Sequence, residues 1–467
     1  MAMIGIAGAL AIGTTLLLGG SSRRDTSNRN ENDPKNSGQN WQKGHQIKRF
    51  DVVSIEPGAE SQHGNMLGQL MFLKYYEDVV DPAIHCQILI SDTYGFMNEI
   101  PIRSGCPVNI EITHPSQEDP FKFDVKGQPL VITNITDHIV DNKRELYTLT
   151  CETQLAVSNH TTRVWKKYSD KISKTVKDIL KNVLKVEDER INHIEETTNK
   201  LHFTGNYRRP FKVISNMCPK SIPVKSGGDR TGETGSSGFL FWETHDGYNF
   251  TSIDKIFAEE PKYEYTMTPY KEANNPDTNF MLADSPQWEE SHDILKKLRS
   301  GAYMTANWYF DILTRQPLFA EYNYKKSVEK GQSEPANDPE IPMLESDFVD
   351  KYSRITLSAL DQSTMDPNPD NRTKETDQDQ ARFQAQSSAR YSSMFSQILH
   401  ITVPMNLSLR AGDMVAIKFA EINTDDTTGG RNTESGNYMI ARLSHEFGNP
   451  DGDFTGLSLV RDSFQSK

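Results

Sequence analysis

Glu243 and Asp254 pose the first chemical question in this 467-residue chain. Two carboxylates held roughly 5 to 10 Å apart are enough to cleave a glycosidic bond. Spacing along a sequence does not fix that distance, and a chain with 64 acidic residues offers many such pairs. Other chemistry fails at the motif level. There is no HExxH, no GxSxG and no Gly-rich nucleotide fingerprint, and Pro219 to Gly238, though rich in Gly, Ser and Lys, lacks GxxxxGK[ST]. Cys86, Cys106, Cys151 and Cys218 show no CxxC spacing, which argues against a zinc site or a disulfide framework. Cys86 alternates with Ile84 and Ile88 and reads as a buried free thiol. No catalytic, cofactor-binding or metal-binding residue is assigned, and the expectation is a protein that is not an enzyme.

The remaining chemical feature is charge. Lys166, Lys167, Lys171, Lys174, Lys177, Lys181 and Lys185 crowd a stretch read as helical from Asn159 to Glu196, with Ile172, Val176, Ile179, Leu180 and Val183 as its apolar stripe. A solvated face is one reading of the lysines, and contact with an acidic neighbouring subunit is the other. The chain as a whole carries a formal charge of -13. That excludes a protein whose entire surface grips nucleic acid, because phosphate binding rests on Lys and Arg.

The elements that would position these groups are mostly strands. Residues 1–20, MAMIGIAGALAIGTTLLLGG, are uncharged and near the length of a membrane span, with Gly5, Ala9 and Gly13 at small-xxx-small spacing. Three readings stand: an apolar helix packed in an assembly, a membrane-active helix and a cleaved signal. A polar linker follows to residue 46. Candidate strands then run at Asp51–Ile55, Leu70–Leu73, Ile84–Ile90, Val108–Ile112, Leu130–Ile135 and Leu146–Leu149. Phe239–Glu243, Gly247–Phe250 and Ile253–Ile256 form a hairpin-like run whose aromatics belong to a core. Gln287–Arg299 reads as a helix stopped by Gly301, and Tyr303–Leu313 as a strand. Ile398–Val403, Leu407–Leu409, Met414–Phe419, Tyr438–Leu443 and Phe454–Val460 make a meander compatible with a small closed barrel.

Two stretches carry a family resemblance. Leu407-x-Leu409-Arg-x-Gly412-Asp413-x-Val415-x-Ile417, followed by Tyr438-x-Ile440-x-Arg442-Leu443-x-His445-x-Phe447, resembles the last tube-like domain of baseplate hub proteins of contractile-tailed phages. Tyr75-Tyr76-Glu77-Asp78 through Ile84-x-Cys86-x-Ile88-x-Ile90-x-Asp92 resembles their opening domain. The resemblance implies an α+β, predominantly β chain: an apolar helical extension and linker (1–46), a first tube-like barrel (47–158), a helix and mixed middle domain (159–262), and a second tube-like barrel with long polar loops (263–467). It also implies a homotrimer forming a pseudo-sixfold ring. That ring would join the tail tube, or tube-initiator proteins, to a tail spike, contact the tape-measure protein, and pass DNA without binding it specifically. The location would be the virion's tail baseplate, assembled in the host cytoplasm, with membrane contact by residues 1–20 open. Alternatives are the hub of a bacterial contractile secretion machine and a membrane-anchored surface protein or hydrolase. The loops at 219–238, 361–384 and 423–437 depart from the family pattern.

Overall fold

The computed structural model describes residues 45–55, 63–114, 120–125, 127–141, 143–224, 235–267, 286–291, 293–311, 315, 317–337, 351–360, 380–419, 434–448 and 453–464. The apolar segment 1–20, its linker and most of the three polar loops lie outside them.

Period-2 alternation builds the amino-terminal part. Its strands are β1 (Gln46–Val53), β2 (His63–Asn65), β3 (Leu70–Asp78), β4 (His85–Asp92), β5 (Pro107–Thr113), β6 (Phe121–Phe123), β7 (Leu130–Asp141) and β8 (Arg144–Thr153), with α1 (Phe96–Glu99) before β5. In β4, Cys86, Ile88 and Ile90 are buried while their neighbours are half-buried, as one-sided packing requires. Asp92 ends this strand by accepting the Tyr94 and Gly95 N–H groups, both at 2.9 Å, and Gly95 takes the positive φ of the turn.

The middle region corrects one expectation. Asn159–Glu196 is not one helix: it divides into the end of α2 (Gln154–Thr161), β9 (Lys167–Lys171), α3 (Ile172–Asp178) with a π-helical turn to Val183, and β10 (Ile191–Ile194). Buried Tyr168 between exposed Lys167 and Ser169 is a strand pattern, and β9 is held antiparallel to β11 (Lys200–Thr204). Lys185, at φ 58°, breaks the helix after its last buried residues. After α4 (Pro210–Met217) come β12 (Phe239–Thr244) and β13 (Gly247–Ser252), joined by the two-residue turn His245-Asp246. Both strands are buried along their whole length. Phe239, Phe241, Tyr248 and Phe250 enter the middle region's core, while Leu240 and Trp242 enter a second cluster shared with the carboxyl-terminal part. Ile253–Ile256, expected within the hairpin-like run, is instead in α5 (Ile253–Phe257), because the Ser252 side chain caps it by accepting the Lys255 N–H.

The carboxyl-terminal part contains β14 (Tyr263–Met267), β15 (Gln287–Ser291), α6 (Ile294–Ser300), β16 (Met304–Asp311), β17 (Pro317–Asn323), α7 (Tyr324–Glu329), β18 (Arg354–Leu360), α8 (Gln380–Met394), β19 (Gln397–Pro404), β20 (Met414–Phe419), β21 (Gly436–Phe447) and β22 (Phe454–Arg461). The helix expected from Gln287 starts late because β15 is drawn into pairing with β19, and Asp293 caps α6 by accepting the Lys296 N–H. Gly301 does end it, in the left-handed conformation. Leu407 and Leu409 are buried but form no strand.

The expected pair of closed barrels is corrected by the pairing. One sheet runs β15-β19-β22-β21-β3-β4-β8-β7-β5-β1-β2, with β14-β20 branching from β21. β21 is the reason: its first residues pair with β20, and Arg442–Phe447 pair with β3. The edge of β3 that would close a first barrel is therefore occupied. At the other end Trp288 of β15 comes within 5.3 Å, ring to ring, of Phe419 of β20, so that part rolls without a closing ladder among the described residues. A single apolar cluster runs through both rolls, from Phe50 and Ile88 to Tyr438 and Leu459.

Gly247 has φ 131°, and a Cβ there would meet the Arg190 carbonyl oxygen at 2.4 Å. Gly247→Ala should therefore destabilise the protein by about 1–3 kcal/mol, read as a lower urea midpoint at unchanged slope. An unchanged midpoint would mean that the hairpin can retreat from Arg190 at no cost.

Candidate functional site

The two carboxylates that raised the question of sugar chemistry are internal struts. Glu243 has no exposed side-chain surface; it accepts the Thr153 hydroxyl at 2.7 Å and pairs with Arg190 at 3.2 Å. Asp254 pairs with Arg390 at 2.7 Å. Arg390 also reaches Asp462 at 2.9 Å, and Asp462 accepts the Tyr324 hydroxyl at 2.6 Å. Burial raises both carboxyls, Asp254 to about 6, against the pull of the arginines. Glu243 is thus committed to Arg190 and the Thr153 hydroxyl, and Asp254 to Arg390 and the Glu334 N–H at 3.1 Å; breaking such a buried pair is strongly destabilising.

The denser arrangement lies where β3 meets β21. The inward positions of β3 and of the residue that follows it are Leu73, Tyr75, Glu77 and Val79, each 1% exposed. A carboxylate thus occupies a core position. Glu77 accepts the Tyr75 hydroxyl at 2.6 Å, the His245 N–H at 2.8 Å and the Ala411 N–H at 2.8 Å. These donors come from the first roll, the β12–β13 turn and the turn before β20, so one side chain ties three parts of the chain. Arg410 stands beside it and makes two bonds to Asp246, at 3.0 and 2.9 Å. Burial raises the Glu77 carboxyl; Arg410 and the three donors oppose it. At Asp246 the His245 and Arg410 contacts outweigh burial and hold the carboxyl below its usual range. His445, fully buried on β21, stacks on Tyr75 at 5.8 Å and shares a hydrogen bond of 3.0 Å with Thr455. Burial, with Arg410, His45 and His245 nearby, lowers its pKa well below the ordinary value, so it stays neutral.

The opposite face of the same ladder is polar. Arg442 pairs with Asp78 at 2.7 Å and Lys74 with Glu446 at 2.6 Å, each directly across the β3–β21 register. Exposed cross-strand pairs contribute only about 0.2–1 kcal/mol each. Their larger effect is on register, because a one-residue slip would turn both pairs into the core. Beside them an open groove of about 630 Å³ runs over β3, β21, β22, β19 and β15, lined by Tyr76, Arg442, Ser444, Ser458, His400 and Thr402.

No protein-family model and no curated protein matches the sequence. Solved structures do. A tail protein from Neisseria meningitidis MC58 superposes with a TM-score of 0.51 at 10% identity, covering 90% of this chain and 97% of the other. The chain shares the fold of that protein. The 43 kDa tail protein of prophage MuSo2 from Shewanella oneidensis gives a TM-score of 0.49 at 10% identity, covering 89% and 99%. Prophage tail protein gp18 from Listeria monocytogenes EGD-e gives 0.43 at 9%, covering 88% and 94%.

Within this fold the lysine run is largely ion-paired: Lys166 with Asp178, Lys171 with Glu196, Lys174 with Asp170 and Lys181 with Asp188. All four cysteines are free and buried. Among the described residues no group of acidic, His and Cys side chains is arranged to hold a metal, and no helix is long and apolar enough to cross a membrane. Sequence reasoning missed Glu77, Arg410 and Arg390. Only for Glu77 was there a signal, a charge at an inward position of the β3 alternation.

Glu77→Gln keeps the size but puts an amide N–H against backbone donors, and it should cost about 3–5 kcal/mol, as for a broken buried charge pair. Thermal or urea unfolding that matches the unchanged protein would remove Glu77 from its central place. A depressed histidine pKa means stability that is complete above about pH 6.5 and is lost as pH falls towards the folded-state value. Asp254, raised to about 6, works in the opposite sense over the same window. The comparison must therefore be differential: between pH 7 and 5 the unchanged protein should lose unfolding free energy relative to His445→Gln. Parallel curves would show that His445 does not titrate on unfolding.

Proposed function

We propose that the chain is the structural hub of a contractile phage-tail baseplate, three copies forming a pseudo-sixfold ring that joins the tail tube to a central spike. The observation that carries this is the continuous band β15-β19-β22-β21-β3-β4-β8-β7, in which two rolls of one chain share a sheet. Both ends of the band are open among the described residues: β15 pairs only with β19, and β7 beyond its first residues pairs only with β8. Unpaired edges invite another strand. Head-to-tail contacts of this kind close into rings when the rotation allows, and Ile139 and Val140 stand exposed on the β7 edge. Duplicated rolls let three chains fill six similar places. The tail-protein fold and the sequence resemblance support the same reading.

In this reading residues 47–158 and 263–467 are the two tube-like domains, 159–262 the middle domain, and 1–46 an extension whose apolar stripe packs in an assembly contact. The partners are the spike, the tube or tube-initiator proteins and the tape-measure protein. DNA passes an acidic, unsticky wall, and the chain has no enzymatic role. Its place is the virion baseplate, reached after assembly in the host cytoplasm.

Light scattering over a range of concentrations should show a species near three times 52.9 kDa, alone or with the spike protein encoded nearby. A monomer under both conditions would rule out the ring.

A further inference from the structure

Gly205, Asn206, Tyr207 and Arg208 form a tight turn on the middle region. The Arg208 N–H donates to the Gly205 carbonyl at 3.1 Å, and Asn206 and Tyr207 have φ of 51° and 54°. This is the pattern of a type I′ turn, which favours Asn and then Gly. Asn206 fits. Tyr207 occupies the glycine position, where a bulky side chain at positive φ is a conformational outlier. The turn is held firmly in place. The Gly205 N–H donates to Lys166 and the Val164 N–H to Arg208, at 3.1 and 2.9 Å. A Cβ on Gly205 would come to 2.4 Å from the Val164 oxygen. Strain of this kind is ordinarily offset by packing. Here the Tyr207 side chain is 74% exposed, and Trp165, on the facing segment, 70%.

Within five residues of these two rings along the chain, Lys167, Arg208, Arg209 and Lys212 are exposed, and none forms an ion pair with a described residue. Exposed Trp, Tyr and Arg held on a rigid support are the residue types that dominate binding energy at protein interfaces. The charge is complementary to the chain itself. Residues 159–262 hold 18 Lys and Arg against 14 Asp and Glu, whereas the remainder holds 33 against 50. That acidic remainder also disfavours nucleic acid as the occupant.

We propose that the turn carrying Tyr207, with Trp165 and its flanking cations, docks on an acidic surface of a second copy of this chain. The inference rests on the ring reading above and adds a contact to it. The test is sedimentation equilibrium of the full chain over a salt series, beside thermal unfolding. Tyr207→Gly relieves the turn and should raise the melting temperature of the monomer while weakening self-association at least tenfold. Arg208→Glu with Arg209→Glu should weaken it similarly and flatten its salt dependence. A purely structural role for Tyr207 would not move stability and association in opposite directions. An unchanged chain that never trimerises overturns the ring reading and this contact together. A trimer in which Tyr207→Gly associates as tightly as the unchanged chain overturns the contact alone.

Discussion

The ladder between β3 and β21 is the constraint on which the rest depends. It joins two rolls that the linear sequence keeps more than three hundred residues apart, Arg442 lying opposite Asp78. On one face it carries two charge pairs; on the other it carries Glu77 and the stacked Tyr75 and His445. The faces act differently. Solvent-screened pairs add little energy but set which residues oppose each other. The buried carboxylate is costly to desolvate and is tolerable only because every donor it needs arrives from a different part of the fold. Misplacing the β12–β13 turn or the turn at Ala411 leaves a buried charge short of partners. Glu77 therefore makes correct docking of three segments cooperative.

The same logic recurs at Glu243 and at Arg390. Thr153, Gln128 and Arg190 converge on Glu243 from the first roll and the middle region. Arg390 on α8 collects Asp254, Asp462 and the Glu334 carbonyl, and lies over the Tyr324 ring at 5.2 Å. Each is a meeting point between elements distant in sequence, none lines the groove over β3, β21, β22, β19 and β15, and each leaves a charge uncompensated if one partner is withdrawn. In an enzyme, buried perturbed carboxyls gather about a cleft. Here they gather at junctions between parts of the fold.

What could be read from the sequence follows from the range of the interactions. Strand alternation is local, so β4, β5, β8, β19, β20 and β22 were legible from Ile, Val and Leu spacing alone, and so was the helix stop at Gly301. Two of the differences in element type came from tertiary pairing overriding local pattern. The lysine-rich stretch looked helical because its later apolar residues fit a helix, yet Tyr168 pairs across to β11. Gln287–Ser291 looked like the start of a helix until β19 claimed it. The barrels failed for a longer-range reason: nothing in the period of β21 says that its two halves serve different partners. The candidate contacts were the least legible, since Glu77 matters through donors scattered over the chain and Tyr207 through a backbone φ.

A ladder between rolls has a consequence that a linker would not. Where domains are joined by a flexible chain, their angle follows linker length and composition. Where they share hydrogen-bonded strands, it follows the twist between neighbouring strands, which backbone sterics fix at roughly 20–25°. The curvature of the band is then encoded mainly in backbone geometry and in the inward-facing residues, and outward-facing residues are free to change. A fold built in this way can persist after most of the sequence has diverged, provided that alternation, the turn glycines and the few buried charges keep partners of some kind. The sequence signals of such a chain are accordingly weak patterns spread over its length instead of a compact motif.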